Sequence, residues 1–426
     1  MEPISAIATA HGRGGVAVIR VSGEGALEIA RGMFSRKGEY APNVMYAGEI
    51  DCGGFSDYGL CVYFRAPKSF TGEDVIEFHC HGGTEIARGV LSRTLTLGAR
   101  LAGRGEFTKR AFLNGKLSLS ACEGMGEMIA AESAAEVRAG YSLYLETLTK
   151  EAKRLSGLLT ECLASVEADV DFPEEDLERE SRDAVKARLL NVKDALEFLC
   201  ARYEAGRKIK SGVNVVIAGA PNAGKSSLLN ALLGYDRAIV SSIEGTTRDA
   251  IEGTAEIRGV KFNLTDTAGL RETADEIERE GVRRAENAMK GADLVLWLKT
   301  DGSLPPETDA PVLTVGAKCD LARRTDCEIA VSSVTGERIG ELKELIYLRT
   351  LGEPKEGAYL LEARHFEALG ESLEAVNRAL AAVEKLPAEL YAEDLRAARI
   401  ALGKISGETA TEAVISEIFE KFCVGK

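Results

Sequence analysis

The sequence predicts a multidomain α/β protein, and three features of it carry that expectation. First, an apolar run from Val213 to Ala218 leads through Gly219-Ala220-Pro221-Asn222-Ala223-Gly224-Lys225-Ser226 into a helix-like run from Ser227 to Leu233. That is the strand, turn and helix order of a doubly wound sheet, whose buried parallel strands read as continuous apolar runs. Second, residues 1–115 are rich in Gly and β-branched residues, as an α+β unit requires. Third, residues 116–210 and 355–426 are acidic and helix-periodic, with apolar residues at i, i+3 and i+4. Neither helical half alone carries a complete core, so the simplest architecture is one discontinuous helical domain interrupted by an α/β domain at 211–354.

Taken in order, the first unit has strand candidates at Val16 to Val21, Gly59 to Phe64 and Val75 to His79, then a helix around Thr84 to Gly98. His81-Gly82-Gly83 reads as the turn into that helix. His79 and His81 alternate on one strand face, a pair able to share a metal, but no further ligand stands at suitable spacing. The helical runs are Glu123 to Glu151, Ala152 to Val170, Ser181 to Gly206, Arg364 to Leu386, Ala392 to Ile405 and Thr409 to Phe419. Between them, Lys261 to Thr265, Val295 to Leu298, Val312 to Val315 and Ile329 to Val331 are further strand candidates.

Composition sets bounds without choosing a function. A chain of 426 residues with 45% hydrophobic content buries cores for two or three domains. The first residues carry an acid rather than a basic leader, and no apolar run approaches bilayer length, so the expectation is a cytoplasmic protein away from the membrane. Nine cysteines without paired metal spacing read as reduced thiols. A net charge of −14 disfavours a broad nucleic-acid groove, so any RNA contact is local or shared with a partner.

The chemistry begins at the glycine-containing turn. A backbone that wraps close to a polyphosphate, the positive end of a new helix, a Lys at 225 for the outer phosphates and a hydroxyl at Ser226 for magnesium together make a phosphate cradle. Asn222, Ala223, Gly224 and Ser227 complete its contacts. Asp266-Thr267-Ala268-Gly269, at the end of the strand-like Lys261 to Thr265, fits a loop in which Asp266 holds magnesium through water and the Gly269 N–H senses the terminal phosphate. Between the two lies Glu244-Gly245-Thr246-Thr247-Arg248-Asp249, where Thr247 is placed to give magnesium its second hydroxyl. A guanine pocket needs a carboxylate to accept from the ring's N–H groups, and Ala317-Lys318-Cys319-Asp320 supplies Asp320. Ala317 stands where guanine-binding GTPases usually carry Asn, which removes a hydrogen bond worth about 1 kcal/mol. Ser332-Ser333-Val334 reads as the last element, with backbone N–H groups facing the base oxygen.

These segments resemble a known family. The phosphate loop, Thr-Thr-Arg-Asp at 246–249, Asp-Thr-Ala-Gly-Leu-Arg-Glu at 266–272, Gly12-Arg13-Gly14-Gly15-Val16, Thr71-Gly72-Glu73-Asp74 leading to His81-Gly82-Gly83, and the terminal Phe422-Cys423-Val424-Gly425-Lys426 are together similar to the MnmE (TrmE) GTPases of tRNA wobble-uridine modification, end to end. The resemblance implies an N-terminal tetrahydrofolate-binding-like and dimerisation domain, a helical domain and an inserted Ras-like P-loop G domain. It implies GTP, Mg2+ and K+ as cofactors, with potassium held by Asn222, Ser241, Ile243 and Thr246, and Ser242 within the same nucleotide-facing loop. The family's water-orienting Glu falls on Glu278; on sequence alone Glu272 or Glu276 is equally plausible, and Arg248 or Arg271 as an arginine finger is the weaker alternative. It implies a tetrahydrofolate derivative, 5-formyl or 5,10-methylene, contacted by Arg20, Glu77, Lys116 and Lys426, with Cys423 as nucleophile or positioning group. Partners implied are a second copy of the chain, the MnmG (GidA) flavoprotein, which carries the FAD, and tRNA. The competing expectation is a stand-alone regulatory or ribosome-assembly GTPase with no modification chemistry of its own.

Overall fold

A computed structural model of the chain describes residues 1–171, 182–234, 251–267, 288–300, 304–305, 307–322, 325–353 and 362–426. The chain divides into two compact units, one of Met1–Gly126, Leu143–Lys193 and Ala368–Lys426, the other of Glu127–Ser142 and Asp194–Glu367.

The first unit opens with β1 (Ile4–Ile7), β2 (Val16–Ser22), α1 (Ala26–Met33), β3 (Met45–Asp51), β4 (Ser56–Phe64), β5 (Val75–His81), α2 (Thr84–Thr96), β6 (Arg100–Leu101) and α3 (Glu106–Leu113). The strands form one sheet in the order β3-β4-β5-β2-β1-β6, antiparallel except where β6 joins β1. Side chains alternate across a strand, so Ala17, Ile19 and Val21 of β2 and Ile76, Phe78 and Cys80 of β5 enter the core shared with α1 and α2. The same alternation turns Arg20, Glu77 and His79 to the opposite face. Near β1 that face is closed by Ile4, Ala6, Ala102 and Phe107, with Phe70 packed against them.

Next come α4 (Leu119–Ala130), α5 (Ala134–Tyr144), α6 (Thr147–Asp171), α7 (Arg182–Cys200) and α8 (Tyr203–Ser211). The periodic stretch from Glu123 to Glu151 is thus three helices rather than one. The first break is made by Ser133, whose hydroxyl accepts the Glu136 N–H at 3.3 Å, while the Glu136 carboxylate accepts the Glu132 N–H at 2.9 Å. This is a helix start, and its Ser-x-x-Glu spacing is legible in the sequence. The second break is Glu146, at φ 60. The stretch from Ser181 to Gly206 likewise divides, between α7 and α8.

The second unit contains β7 (Val213–Gly219), α9 (Lys225–Leu233), β8 (Ile251–Ile257), β9 (Val260–Asp266), β10 (Leu294–Leu298), β11 (Val312–Gly316), β12 (Ile329–Ala330) and α10 (Ile339–Leu351). Its sheet runs β12-β11-β10-β7-β9-β8, parallel throughout except for the edge strand β8. Val213, Val215, Val216, Ile217 and Ala218 of β7 are all buried, as befits a central strand covered on both faces.

The chain finishes with α11 (Ala363–Ala382), α12 (Ala388–Ser406) and α13 (Glu412–Glu420). Helices α6 and α12 make one extended contact, with Leu155, Leu159, Cys162 and Val166 on one side and Leu395, Ala398, Leu402 and Ile405 on the other, all buried. Each such leucine contributes about 1.5–3 kcal/mol of burial, so the helices before and after the second sheet stabilise one another. Among the described residues no helix is long and apolar enough to cross a membrane.

Candidate functional site

Two clusters hold the residues singled out by the sequence. The first lies at the C-terminal end of β7, between β9 and β10, where an open parallel sheet forms its ligand crevice. Gly224 caps α9 at φ 98, a backbone conformation that favours glycine, and the helix begins at Lys225. The Lys225 side chain is buried, its ammonium donating to the carbonyls of Gly219 at 3.0 Å and Ala220 at 2.9 Å. A cation enclosed by the loop and the amino end of α9 give the turn the polarity an oxyanion needs. Ser226 Oγ donates to Asp266 Oδ2 at 2.5 Å. A hydroxyl and a buried carboxylate side by side are the oxygen donors a magnesium ion takes, so these residues fit the ion. Thr267 is held away from that pair, its hydroxyl donating to the Ile217 carbonyl at 3.1 Å. Asn222 sits at φ 60 in the turn, Ala223 is buried, and Ser227 is exposed on the first turn of α9.

The base-side loop reaches the same turn. Ala317 leaves no amide to tie the two loops together, but Lys318, at φ 62, extends its ammonium to the Asn222 carbonyl at 3.4 Å. A cation thus spans the gap where a side-chain amide was expected. Cys319 N–H donates to Val331 O at 3.1 Å, which fixes the loop to the residue after β12, and Asp320 is exposed beyond it. Ser332 is buried with its N–H donated to the Glu337 carbonyl at 3.1 Å, so that N–H is engaged within the loop; Ser333 and Val334 follow it toward solvent. Ser241, Ser242, Ile243, Glu244, Gly245, Thr246, Thr247, Ala268, Gly269 and Glu278 lie outside the described residues.

The second cluster lies on the polar face of the first sheet. Arg20 and Glu77 are direct cross-strand partners, and Arg20 Nε donates to Glu77 Oε1 at 2.7 Å. The guanidinium also lies 5.7 Å from the Phe70 ring centroid and 5.6 Å from that of Phe107, within cation–π range. The chain terminus comes to the same place. Val424 bridges Arg104, the Cys423 carbonyl accepts from Gly105 N–H at 3.4 Å, and the Lys426 carbonyl accepts from Phe107 N–H at 3.2 Å. Gly425 adopts φ 97 with its Cα so close to β1 that a Cβ there would stand 2.3 Å from the Ile7 carbonyl. Lys116 donates to the Pro67 carbonyl at 3.0 Å, in the loop that carries Phe70.

Arg20, Glu77 and the docked tail therefore meet around Phe107, and Lys116 holds the neighbouring loop. Sequence reasoning missed the two phenylalanines, which carry no polar signature, and it weighed His79 only as a metal partner of His81, whereas its Nε2 stands 3.3 Å from Glu77 Oε2. His81 pairs instead with Asp57, Nδ1 to Oδ1 at 2.7 Å. Burial pushes Glu106 up, yet hydrogen bonds from Arg100, the Gly103 N–H and Arg110 overcome it and hold its pKa at about 2. That carboxylate fixes the start of α3, on which the tail rests. Burial raises the Cys61 and Cys122 thiols to about 12, whereas Cys423 is exposed.

Comparison with known proteins gives concordant results. A family model described as GTP-binding protein TrmE N-terminus matches residues 3–116, and one described as MnmE helical domain matches residues 119–423. A tRNA modification GTPase MnmE of Thermus thermophilus is 41% identical over 440 residues, covering 100% of this chain and 99% of its own. Proteins of the same name from Azoarcus sp. and Chlamydia trachomatis are 40% and 39% identical, each across 100% of this chain and 98% and 99% of their own. A phosphate-binding turn at the end of a central parallel strand, a helical region that matches its own family model, and identity sustained from end to end leave one assignment: this chain belongs to the MnmE (TrmE) family of tRNA modification GTPases.

Proposed function

We propose that this GTPase is potassium-activated, works as a homodimer in the cytoplasm, and joins a flavin-containing partner, MnmG (GidA), to place an aminomethyl or carboxymethylaminomethyl group on C5 of the wobble uridine of certain tRNAs. The carbon comes from a 5-formyl or 5,10-methylene tetrahydrofolate held by Arg20, Glu77, Lys116 and Lys426. The functional division is the one read from sequence: 1–115 for folate and dimerisation, 116–210 with 355–426 as the helical domain, and 211–354 for GTP. The observation that carries the reading is the seating of the thiol-bearing tail beside the Arg20–Glu77 pair. A regulatory GTPase has no need of a second polar cluster closed by its own terminus.

In hydrolysis the backbone N–H groups of the 219–226 turn and Lys225 bind the β- and γ-phosphates, and Lys225 exchanges its two carbonyl partners for phosphate oxygens. Ser226 and Thr247 would hold Mg2+, with Asp266 through water, and Asn222, Ser241, Ile243 and Thr246 would hold K+. The two cations supply positive charge where the transition state develops negative charge. Glu278 would orient the attacking water, Asp320 would read the guanine edge, and Cys423 would stand at the folate as nucleophile or positioning group.

The test is mass analysis of wobble nucleosides in cells lacking the gene and complemented with the wild-type chain or with Glu77→Gln. The wild type restores the C5-modified uridine and Glu77→Gln does not. Full restoration by Glu77→Gln overturns the folate assignment. GTP turnover equal in sodium and potassium at the same ionic strength overturns the potassium site.

A further inference from the structure

We propose that His79 is a positioning residue of the folate site, holding the Glu77 carboxylate in the plane in which it accepts the pterin edge. The inference rests on the folate reading above and names what that reading left unassigned.

A reduced pterin carries an amide N–H beside an amino group on its pyrimidine edge. Two adjacent donors of that kind are matched by the two oxygens of one carboxylate, provided that its plane is fixed. A glutamate on an open sheet face has three rotatable bonds, and immobilising such a side chain costs on the order of 1 kcal/mol of rotamer freedom. Glu77 is pinned at both oxygens before any ligand arrives. Arg20 Nε donates to Oε1 at 2.7 Å, and His79 Nε2 stands 3.3 Å from Oε2. Arg20 is itself fixed by the Phe70 and Phe107 rings.

The strand explains the geometry. Glu77 and His79 are two residues apart on β5, so they share a face, and the β2 partner of His79 is Val18 while its β4 partner is Leu60. Apolar residues flank the imidazole on both neighbouring strands, so its polar neighbours on this face lie along its own strand, Glu77 on one side and His81 on the other. The charged and titratable groups nearby are Glu77 and His81 on β5, Arg20 on β2 and Asp57 on β4. Asp57 is occupied by His81, accepting both its backbone N–H at 2.9 Å and its ring at 2.7 Å. The contact is a hydrogen bond when Nε2 carries the hydrogen that it donates to Glu77 Oε2.

The experiment measures binding of 5-formyltetrahydrofolate to the full chain by titration calorimetry, with thermal unfolding as the check on folding. His79→Phe keeps a planar ring on the same stem and removes the donor, and about tenfold weaker binding is expected. His79→Gln offers an amide donor on a similar stem, and affinity returns to within about threefold of the wild type. Equal affinity in wild type and His79→Phe overturns the assignment, as does His79→Gln binding no better than His79→Phe, which would make the role one of packing. A wild-type chain that binds no reduced folate overturns the folate reading itself, and this assignment with it, so the two failures are distinct.

Discussion

The two candidate clusters are built in opposite ways. The phosphate turn is local: Gly219 through Ser226 are consecutive, their groups are mostly backbone, and the strand before and helix after them fix their direction. The polar face of the first sheet is assembled from distant segments: Arg20, Phe70, Glu77, Phe107 and a tail that ends at Lys426. A site made of main chain needs a short motif, whereas a site made of side chains needs a topology. The first tolerates change in its surroundings and the second depends on them.

The largest expected effect tests the local site. Lys225→Ala removes the buried cation of the turn, and GTP turnover falls by about 100-fold or more in a phosphate-release assay. Turnover within a few-fold of wild type would break the claim that the turn is the catalytic cradle. Next, Asp320→Asn replaces the carboxylate proposed to read the base by an amide that presents a donor. GTP loses about tenfold to 100-fold in affinity and xanthosine triphosphate gains, measured by competition with a fluorescent nucleotide. An unchanged preference would mean that another group reads the base.

The assembled site is probed at its weakest joint. In Gly425→Ala a methyl group meets the Ile7 carbonyl, so the tail leaves its seat. Reduced-folate binding weakens by about tenfold while the thermal midpoint hardly moves, because four terminal residues contribute little to the core. Wild-type binding by this variant would separate tail from site. The smallest effect concerns acid. Glu106 titrates at about 2 in the fold against an ordinary 4.5, so the unfolded chain binds more protons between those values. Its contribution is fully present above about 4.5 and is lost as pH falls toward about 2. Glu106→Gln flattens that part of the stability profile, which acid titration by circular dichroism checks.

The same contrast explains what could be read in advance. The expected strands at Val16, Val75, Val213, Val295 and Val312 lie within observed ones, because buried and alternating strands carry their own pattern. The strand β3 and helices α1 and α3 had no such signal strong enough to be picked out; α3, with Phe107, matters most for the site. Helix breaks at Ser133 and Glu146 were overrun because apolar periodicity continues through them, although the Ser133 and Glu136 spacing announces the first. At the base-side loop the sequence shows in Ala317 a lost tie, and only the fold brings Lys318 to the Asn222 carbonyl.

The sequence by itself determined the nucleotide chemistry, since a strand, a glycine turn, a lysine and a hydroxyl in one short run leave the backbone no other purpose so specific. Through resemblance it also determined the family. Tertiary structure alone decided that Arg20 grips Glu77, that His79 reaches the same carboxylate, and that the tail returns to Phe107. Register across an antiparallel sheet and the packing of a chain end are long-range events, and no local pattern of residues encodes them.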